Sequence, residues 1–242
     1  MRYGLITDIH SNLPAFEAVL ECINKEGVDG FICAGDIVGY GPYPNECIEL
    51  LQKLKGLSVV VGNHDWAALG LEDIATFNPV AQEAILWTKE KLTKENQEYL
   101  RSLPYSLTKD NWTLVHGTLR DPLDEYMIDS EIFSQHLLRQ TTPFCFHGHT
   151  HIPFYFCATT EGITGGELAP AMELNSGYQY AINLGSVGQP RDSNSQAGYG
   201  IFDDEKGLLQ FRRVNYDVKK VQQEMAAQRL PEYLIKRLEF GI

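Results

Sequence analysis

The chain has 242 residues, 43% of them hydrophobic and 21% charged, with 21 Gly and 11 Pro. That length suits one large domain or two small ones, with a core that closes without disulfides or structural metal, and the composition excludes a disordered, collagen-like, coiled-coil or disulfide-stapled chain. Lys+Arg 20 against Asp+Glu 32 leaves a net charge of −12, which argues against broad electrostatic binding to nucleic acid or anionic membrane and leaves room for a bound cation.

Residues 2–7 read as a short buried strand, and Asn12-Leu13-Pro14 opens a helix with Phe16, Val19, Leu20 and Ile23 on one face, stopped by Gly27. Residues 29–34 form a second strand, Pro44 to Leu54 a second helix with Cys47, Ile48, Leu51 and Leu54 on one face, and residues 57–61 a third strand. This alternation predicts an α/β sheet with parallel neighbours. Residues 66–103 look mainly helical, with a start at Asn78-Pro79, a stripe of Ala81, Ala84, Ile85, Thr88 and Leu92, and a cap at Thr93. From 111 onward strands are expected at 111–115, 143–147, 152–157, 179–184, 198–203 and 208–214, with a loop or weak hairpin over 159–178. From Asp217 to Phe240 two helices split near Pro231, and the stripe Val218, Val221 and Met225 is expected to dock on the sheet. With no repeats and no low-complexity linker, one domain over 1–242 is favoured, carrying 66–110 as a helical insertion or outer layer and 217–242 as C-terminal helices.

The cysteines, Cys22, Cys33, Cys47, Cys145 and Cys157, are odd in number and lie in apolar runs without a C-x-x-C pair, the pattern of reduced core thiols in a cytoplasmic protein. No run of 18 apolar residues predicts a membrane span, and the N-terminal stretch lacks the apolar region of a leader peptide.

Chemistry concentrates in the histidines. Of seven, six fall in short polar clusters after apolar strands, and only His136 lies in a predicted helix. The clusters are Asp8-Ile9-His10, Gly35-Asp36, Gly62-Asn63-His64-Asp65, Val115-His116-Gly117 and Gly148-His149-Thr150-His151. Strand ends of an open α/β sheet are where ligand-binding loops converge. Residues i and i+2 of an extended segment point the same way, so Asp8 and His10 can face one ion. Carboxylate, imidazole and amide form a mixed O/N donor set that suits Mn, Fe, Zn or Ni better than Ca or Mg. The seven candidate ligands, Asp8, His10, Asp36, Asn63, His116, His149 and His151, exceed one ordinary site and fit two ions if one carboxylate bridges. Two ions about 3.5–4 Å apart suit in-line displacement at phosphorus. Any one cluster alone is more often a turn held by local hydrogen bonds; five in one chain, each after a strand, resist that explanation. His147 precedes its cluster inside a strand and reads as a core histidine.

As an ordered set these motifs resemble the five motifs of the calcineurin-like metallophosphoesterase superfamily, over residue 3 to about 192. Asp8-Ile9-His10-Ser11-Asn12, Gly39-Tyr40-Gly41-Pro42 and Asn183-Leu184-Gly185-Ser186-Val187-Gly188-Gln189-Pro190-Arg191 are similar to its small prokaryotic single-domain branch of phosphodiesterases. The resemblance implies a four-layer α-β-β-α sandwich of two mixed sheets flanked by helices. It assigns Asp8, His10, Asp36 and His151 to one divalent metal and Asp36, Asn63, His116 and His149 to a second, with Asp36 as the bridge. It makes His64 the catalytic histidine that is not a ligand and Asp65 its partner, expected to orient the ring. The implied activity is hydrolysis of a phosphodiester, a nucleotide-like small molecule, by in-line attack of a metal-bridging hydroxide. Alternatives are a phosphomonoesterase, including a protein phosphatase, a dinucleoside polyphosphate hydrolase and, least favoured, a noncatalytic scaffold. In the protein serine/threonine phosphatase branch an Asp-Arg pair follows the bridging aspartate, whereas here the stretch is Ile37-Val38-Gly39-Tyr40-Gly41, without arginine. Arg191 is the candidate replacement for gripping phosphate, against the alternative of an ion pair with Asp192. Asn12 and Tyr40 are further substrate-binding candidates, against a helix cap and turn packing respectively. The expected partner is a small phosphorylated substrate, with no stable nucleic-acid complex and no membrane; oligomeric state is open.

Overall fold

The computed structural model describes residues 1–242. In chain order the strands are β1 (Arg2–Ile6), β2 (Gly30–Cys33), β3 (Leu57–Val59), β4 (Ser106–Lys109), β5 (Trp112–Val115), β6 (Phe144–His147), β7 (Pro153–Thr159), β8 (Gly162–Glu167), β9 (Met172–Glu173), β10 (Gln179–Leu184), β11 (Ala197–Asp203) and β12 (Leu208–Val214). The α-helices are α1 (Leu13–Lys25), α2 (Pro44–Gln52), α3 (Asn63–Ala68), α4 (Pro79–Lys91), α5 (Lys94–Ser102), α6 (Ser130–Leu137), α7 (Val218–Ala227) and α8 (Glu232–Phe240).

The strands form two six-stranded mixed sheets, in the orders β3-β2-β1-β11-β12-β9 and β4-β5-β6-β10-β7-β8. In the first sheet β1 pairs parallel with β2 and β2 with β3. In the second, β6 pairs parallel with both β5 and β10. Buried Tyr3, Leu5, Ile32, Trp112, Leu114, Phe144, Phe146, Ile182 and Phe202 share one core cluster drawn from both sheets. The outer face of the first sheet buries Ile6, Phe31, Cys33 and Val59 with α1 residues Phe16, Val19 and Ile23 and with Cys47, Ile48 and Leu51 of α2. The outer face of the second packs Phe156 and Ala181 with Phe133 of α6. This is the α-β-β-α sandwich that the motif set implied.

Three local readings change. Ser106–Lys109, inside the segment read as helical, is an edge strand; its partly exposed residues lack the alternation that marks a half-buried strand. The weak hairpin becomes β8 and β9, with β8 pairing along β7 over its full length. The stripe Val218, Val221 and Met225 does not dock on a sheet: it packs with Leu234 and Leu238 of α8, Ala81 and Ala84 of α4, and Tyr40. A helix stripe predicts burial but not the partner, and here the partners are other helices. All five cysteines are free thiols, four of them buried, and no helix is long and apolar enough to cross a membrane.

This topology positions the site. Strands β1, β2 and β3 run one way in one sheet, and β5, β6 and β10 run one way in the other. Each of the histidine and aspartate clusters follows the C-terminal end of one of the first five, and the loop to Arg191 follows β10. Main-chain bonds tie the two sets of loops together, Val187 N donating to Thr7 O (3.0 Å) and Gly188 N to Asp8 O (2.9 Å), while Gly148 N donates to His116 O (3.0 Å) between two loops of the second sheet.

Candidate metal centre and its cavity

Ligand atoms of Asp8, His10, Asp36 and His151 lie within 4.8 Å of one another, all buried. His10 Nε2 stands 3.0 Å from His151 Nε2, and Asp8 Oδ1 stands 3.3 Å from His151 Nε2. A second group adjoins it: His116 Nε2 is 3.2 Å from both Asn63 Oδ1 and His149 Nδ1. Asp36 joins the two, its Oδ2 lying 3.4 Å from His10 Nε2 and 3.4 Å from His116 Nε2. The structure thus brings all seven sequence candidates together, in two groups that Asp36 joins.

The donor set tests itself against a cation. Each of the four imidazoles turns its outer nitrogen to a main-chain carbonyl: His10 Nδ1 to Val38 O (3.1 Å), His151 Nδ1 to Gln189 O (2.6 Å), His116 Nδ1 to Ala34 O (2.8 Å) and His149 Nε2 to Asp124 O (3.1 Å). A carbonyl can only accept, so those nitrogens carry N–H and a neutral ring's inner nitrogen presents a lone pair. The centre is therefore lined by acceptors facing acceptors: imidazole lone pairs, two carboxylates and, with Asn63 Oδ1 turned inward, an amide oxygen. Without positive charge between them such groups repel, and outer-nitrogen bonds of this kind orient metal-binding histidines. The carboxylates draw positive charge to this place: burial works against a charged His116, yet Asp36 beside it pushes the imidazole up to about 9, so that in the absence of a cation a proton takes its place. Burial would raise Asp8, yet neighbouring His151 holds it below the usual carboxylate range. The residues fit a divalent metal ion.

The backbone bends sharply to aim these groups. Asp8, His10, Asp36, His149 and His151 all have left-handed φ between 47° and 71°. Aspartate and histidine tolerate that region better than most residues, but it remains a strained one. His149 N–H and His64 N–H donate to Asp8 Oδ1 (3.1 Å) and Asp36 Oδ1 (2.9 Å), which fixes the two carboxylates in place.

Beside the centre opens a cavity of about 740 Å³ whose wall includes Asp36, Asn63, His64, His149 and His151. His64 is buried and its Nδ1 has no hydrogen-bond partner; burial lowers the imidazole to about 4. Its ring lies against Gly39, where an added Cβ would stand 2.7 Å from His64 Nδ1, and Gly39 has φ 99°, so only glycine fits there. Tyr40 packs its ring 4.6 Å from His10 and 4.3 Å from His64.

Two sequence assignments are corrected. Asp65 does not hold the His64 ring: its Oδ1 accepts from Val38 N (2.9 Å) and its Oδ2 from Gly62 N (3.0 Å). Both oxygens are spent on main chain at the start of α3, so Asp65 shapes the loops that carry Asp36 and Asn63. Asn12 is not on the cavity wall: its Oδ1 accepts from Ala15 N (3.2 Å) as the α1 cap and its Nδ2 donates to Gly188 O (2.8 Å). Arg191 and Tyr40 do line the cavity. Arg191 leaves Asp192 to Arg213 and donates instead to Gln189 Oε1 (3.0 Å) and Tyr40 Oη (3.3 Å). His147 stays out of the centre, buried 3.4 Å from Asn183 Nδ2. Sequence reading missed the outer wall, including Phe77, Tyr126, Tyr233 and Arg237. Phe77 was visible only as the residue before a helix start, and the other three sit in no motif.

Two stacked mixed sheets with aspartate and histidine donors converging at their strand ends define a metallophosphoesterase. Residues 1–207 match the model of the calcineurin-like phosphoesterase superfamily domain, and the chain belongs to that superfamily of phosphoester hydrolases. It is 40% identical over 249 residues to an uncharacterized protein of Methanocaldococcus jannaschii, covering 98% of this chain and 97% of that one. The crystal structure of a metallophosphoesterase from Sphaerobacter thermophilus superposes with a TM-score of 0.89 at 39% identity, over 100% of this chain and 99% of that one. That of a hypothetical protein from Pyrococcus horikoshii shares the fold, with a TM-score of 0.83 at 24% identity over 100% and 98% of the two chains.

Proposed function

We propose that the chain is a phosphodiesterase using two divalent ions, drawn from Mn, Fe, Zn or Ni, on a nucleotide-like small molecule. The observation that carries this reading is Asp36 Oδ2, 3.4 Å from an inward imidazole nitrogen of each donor set, on the wall of a cavity. Asp8, His10, Asp36 and His151 would hold one ion, and Asp36, Asn63, His116 and His149 the other. Divalent ions at this place supply charge neutralisation at phosphoryl oxygens and a water that ionises near neutral pH.

The chain's own groups do the rest. Arg191, lying beside the centre with no carboxylate partner, can orient the phosphoryl group through charge-assisted hydrogen bonds. Burial keeps His64 neutral, and a phosphoryl group bound beside it would favour the protonated ring, which can donate to a phosphoryl oxygen or pass a proton to the leaving alkoxide. Tyr40 and Gly39 hold that ring in place, so little orientational freedom is lost when substrate enters. Two features favour a diester over a phosphoprotein: no arginine follows Asp36 in the Ile37–Gly41 stretch, and the walled cavity has room for ester groups on both sides of phosphorus.

The test is metal analysis combined with turnover of bis(p-nitrophenyl) phosphate and of p-nitrophenyl phosphate under each of the four metals. Two ions per chain and a higher kcat/KM on the diester are expected. Faster monoester turnover would reverse the assigned preference, and full metal occupancy without turnover of either ester would remove the catalytic reading.

A further inference from the structure

We propose that the cavity holds a second anion site, built by Arg237 of α8, and that the substrate carries a second phosphate beyond the one attacked. The proposal rests on the reading of the cavity as the substrate site and specifies what that site selects.

The arginines make the case. The chain has nine, and Arg2, Arg120, Arg212 and Arg213 pair with carboxylates. Of the five others, Arg101, Arg139 and Arg229 are exposed, where water solvates an unpaired guanidinium at little cost. Only Arg191 and Arg237 are both partly buried and without an Asp or Glu partner, and both line the same cavity. In a chain of net charge −12, two guanidiniums held apart from every Asp and Glu side chain on the wall of one cavity mark a place for anions from outside.

Their positions separate their tasks. Arg191 N–H donates to His151 O (3.2 Å), which places this residue beside the metal centre. Arg237 belongs to a different wall. It stands one helical turn after Tyr233, with its guanidinium carbon 5.4 Å from that ring's centroid, and its Nε donates to the main-chain oxygen of Ile242, the last residue of the sequence. Both of its Nη groups lack a protein partner and are free for a bidentate phosphate contact. The helix is anchored by Leu234 and Leu238 in the cluster it shares with α4 and α7, so the group is mounted on a packed element and not on a loop. Arg237 also lies beyond residue 207, where the match to the superfamily domain ends.

Two sources share this chemistry: a phosphoanhydride chain and a second phosphate elsewhere on a nucleoside. Calorimetry on protein loaded with Mn²⁺ and freed of excess ion would compare adenosine 5′-monophosphate with adenosine 5′-diphosphate and adenosine 3′,5′-bisphosphate. At least one of the two ligands with a second phosphate is expected to bind about tenfold or more tightly than the monophosphate, the worth of one charge-assisted contact. The ligand with the advantage identifies the source. Arg237→Gln should abolish that advantage, Arg237→Lys should restore part of it, and Arg139→Gln, an equal loss of charge at an exposed position, should leave it intact. Equal affinity for all three ligands, or an advantage that survives Arg237→Gln, would overturn the proposal. Failure of the parent reading looks different: the diester is not hydrolysed although the phosphate-count preference persists.

Discussion

Replacing Asp36 by Asn is the sharpest test of the bridged centre. The change keeps the shape and the Oδ1 that accepts from His64 N, and removes the charge at the oxygen standing 3.4 Å from both His10 Nε2 and His116 Nε2. The two ion positions then fare differently. One set retains Asp8 as an anionic donor; the other is left with Asn63, His116 and His149 and no carboxylate. An ion present at about a thousandfold over its Kd stabilises the fold by about 4 kcal/mol. For a domain of this size each kcal/mol moves Tm by about 2–4 °C, so each ion should raise the wild-type Tm by about 8–16 °C. D36N should keep at most one ion per chain by elemental analysis and lose at least half of the metal-induced shift in a thermal melt. Two ions per chain and an undiminished shift in D36N would refute the bridging arrangement.

His64→Ala should lower kcat by about 10²–10⁴-fold, the usual range for losing a general acid, with metal content unchanged; loss of metal would make His64 a ligand. Gly62→Ala places a methyl group on Asp36 Oδ1 and Asp36 N, so it should weaken metal uptake and destabilise the fold by about 1–3 kcal/mol in urea titrations; normal uptake would show that the loop yields easily. His136, far from the centre, tests acid stability. Its Nδ1 accepts from Leu119 N (3.1 Å) and its Nε2 faces Gln140 Oε1 (3.0 Å), and burial lowers it to about 4. A folded value below the unfolded ~6.5 means that the unfolded chain binds the extra proton, so the neutral ring's contribution is full above ~6.5 and is lost as pH falls toward 4. Between pH 7 and pH 5 wild type should lose about 2 kcal/mol more than His136→Gln in denaturant melts; parallel losses would refute this assignment.

The centre was legible because its parts are local. Each donor sits within a few residues of a strand end, and apolar runs followed by Asp, Asn or His announce themselves without knowledge of the fold. Parallel alternation from β1 to β3 was readable for the same reason. What escaped depends on distant pairing. Whether Asp192 answers Arg191 or Arg213 is settled by where β12 runs alongside β11, which places Arg213 opposite Gly198. Adjacency in sequence suggested that Asp65 serves His64, but the helical start turns its carboxylate back to Gly62 and across to Val38. Arg237 joins the cavity only because α7 and α8 fold over α4, and no pattern within 217–242 states that contact. The Gly-rich β8 and the short polar β4 carry little apolar signal and gain their order from the strands they pair with.

The left-handed backbone at Asp8, His10, Asp36, His149 and His151 has a consequence for descent as well as chemistry. Each such residue holds its conformation at a cost of about 1–3 kcal/mol, which glycine would largely relieve. A lineage that had abandoned hydrolysis would gain stability at every step by letting these positions drift to glycine or asparagine. Their retention in a chain therefore serves as a gauge of whether selection still acts on the reaction.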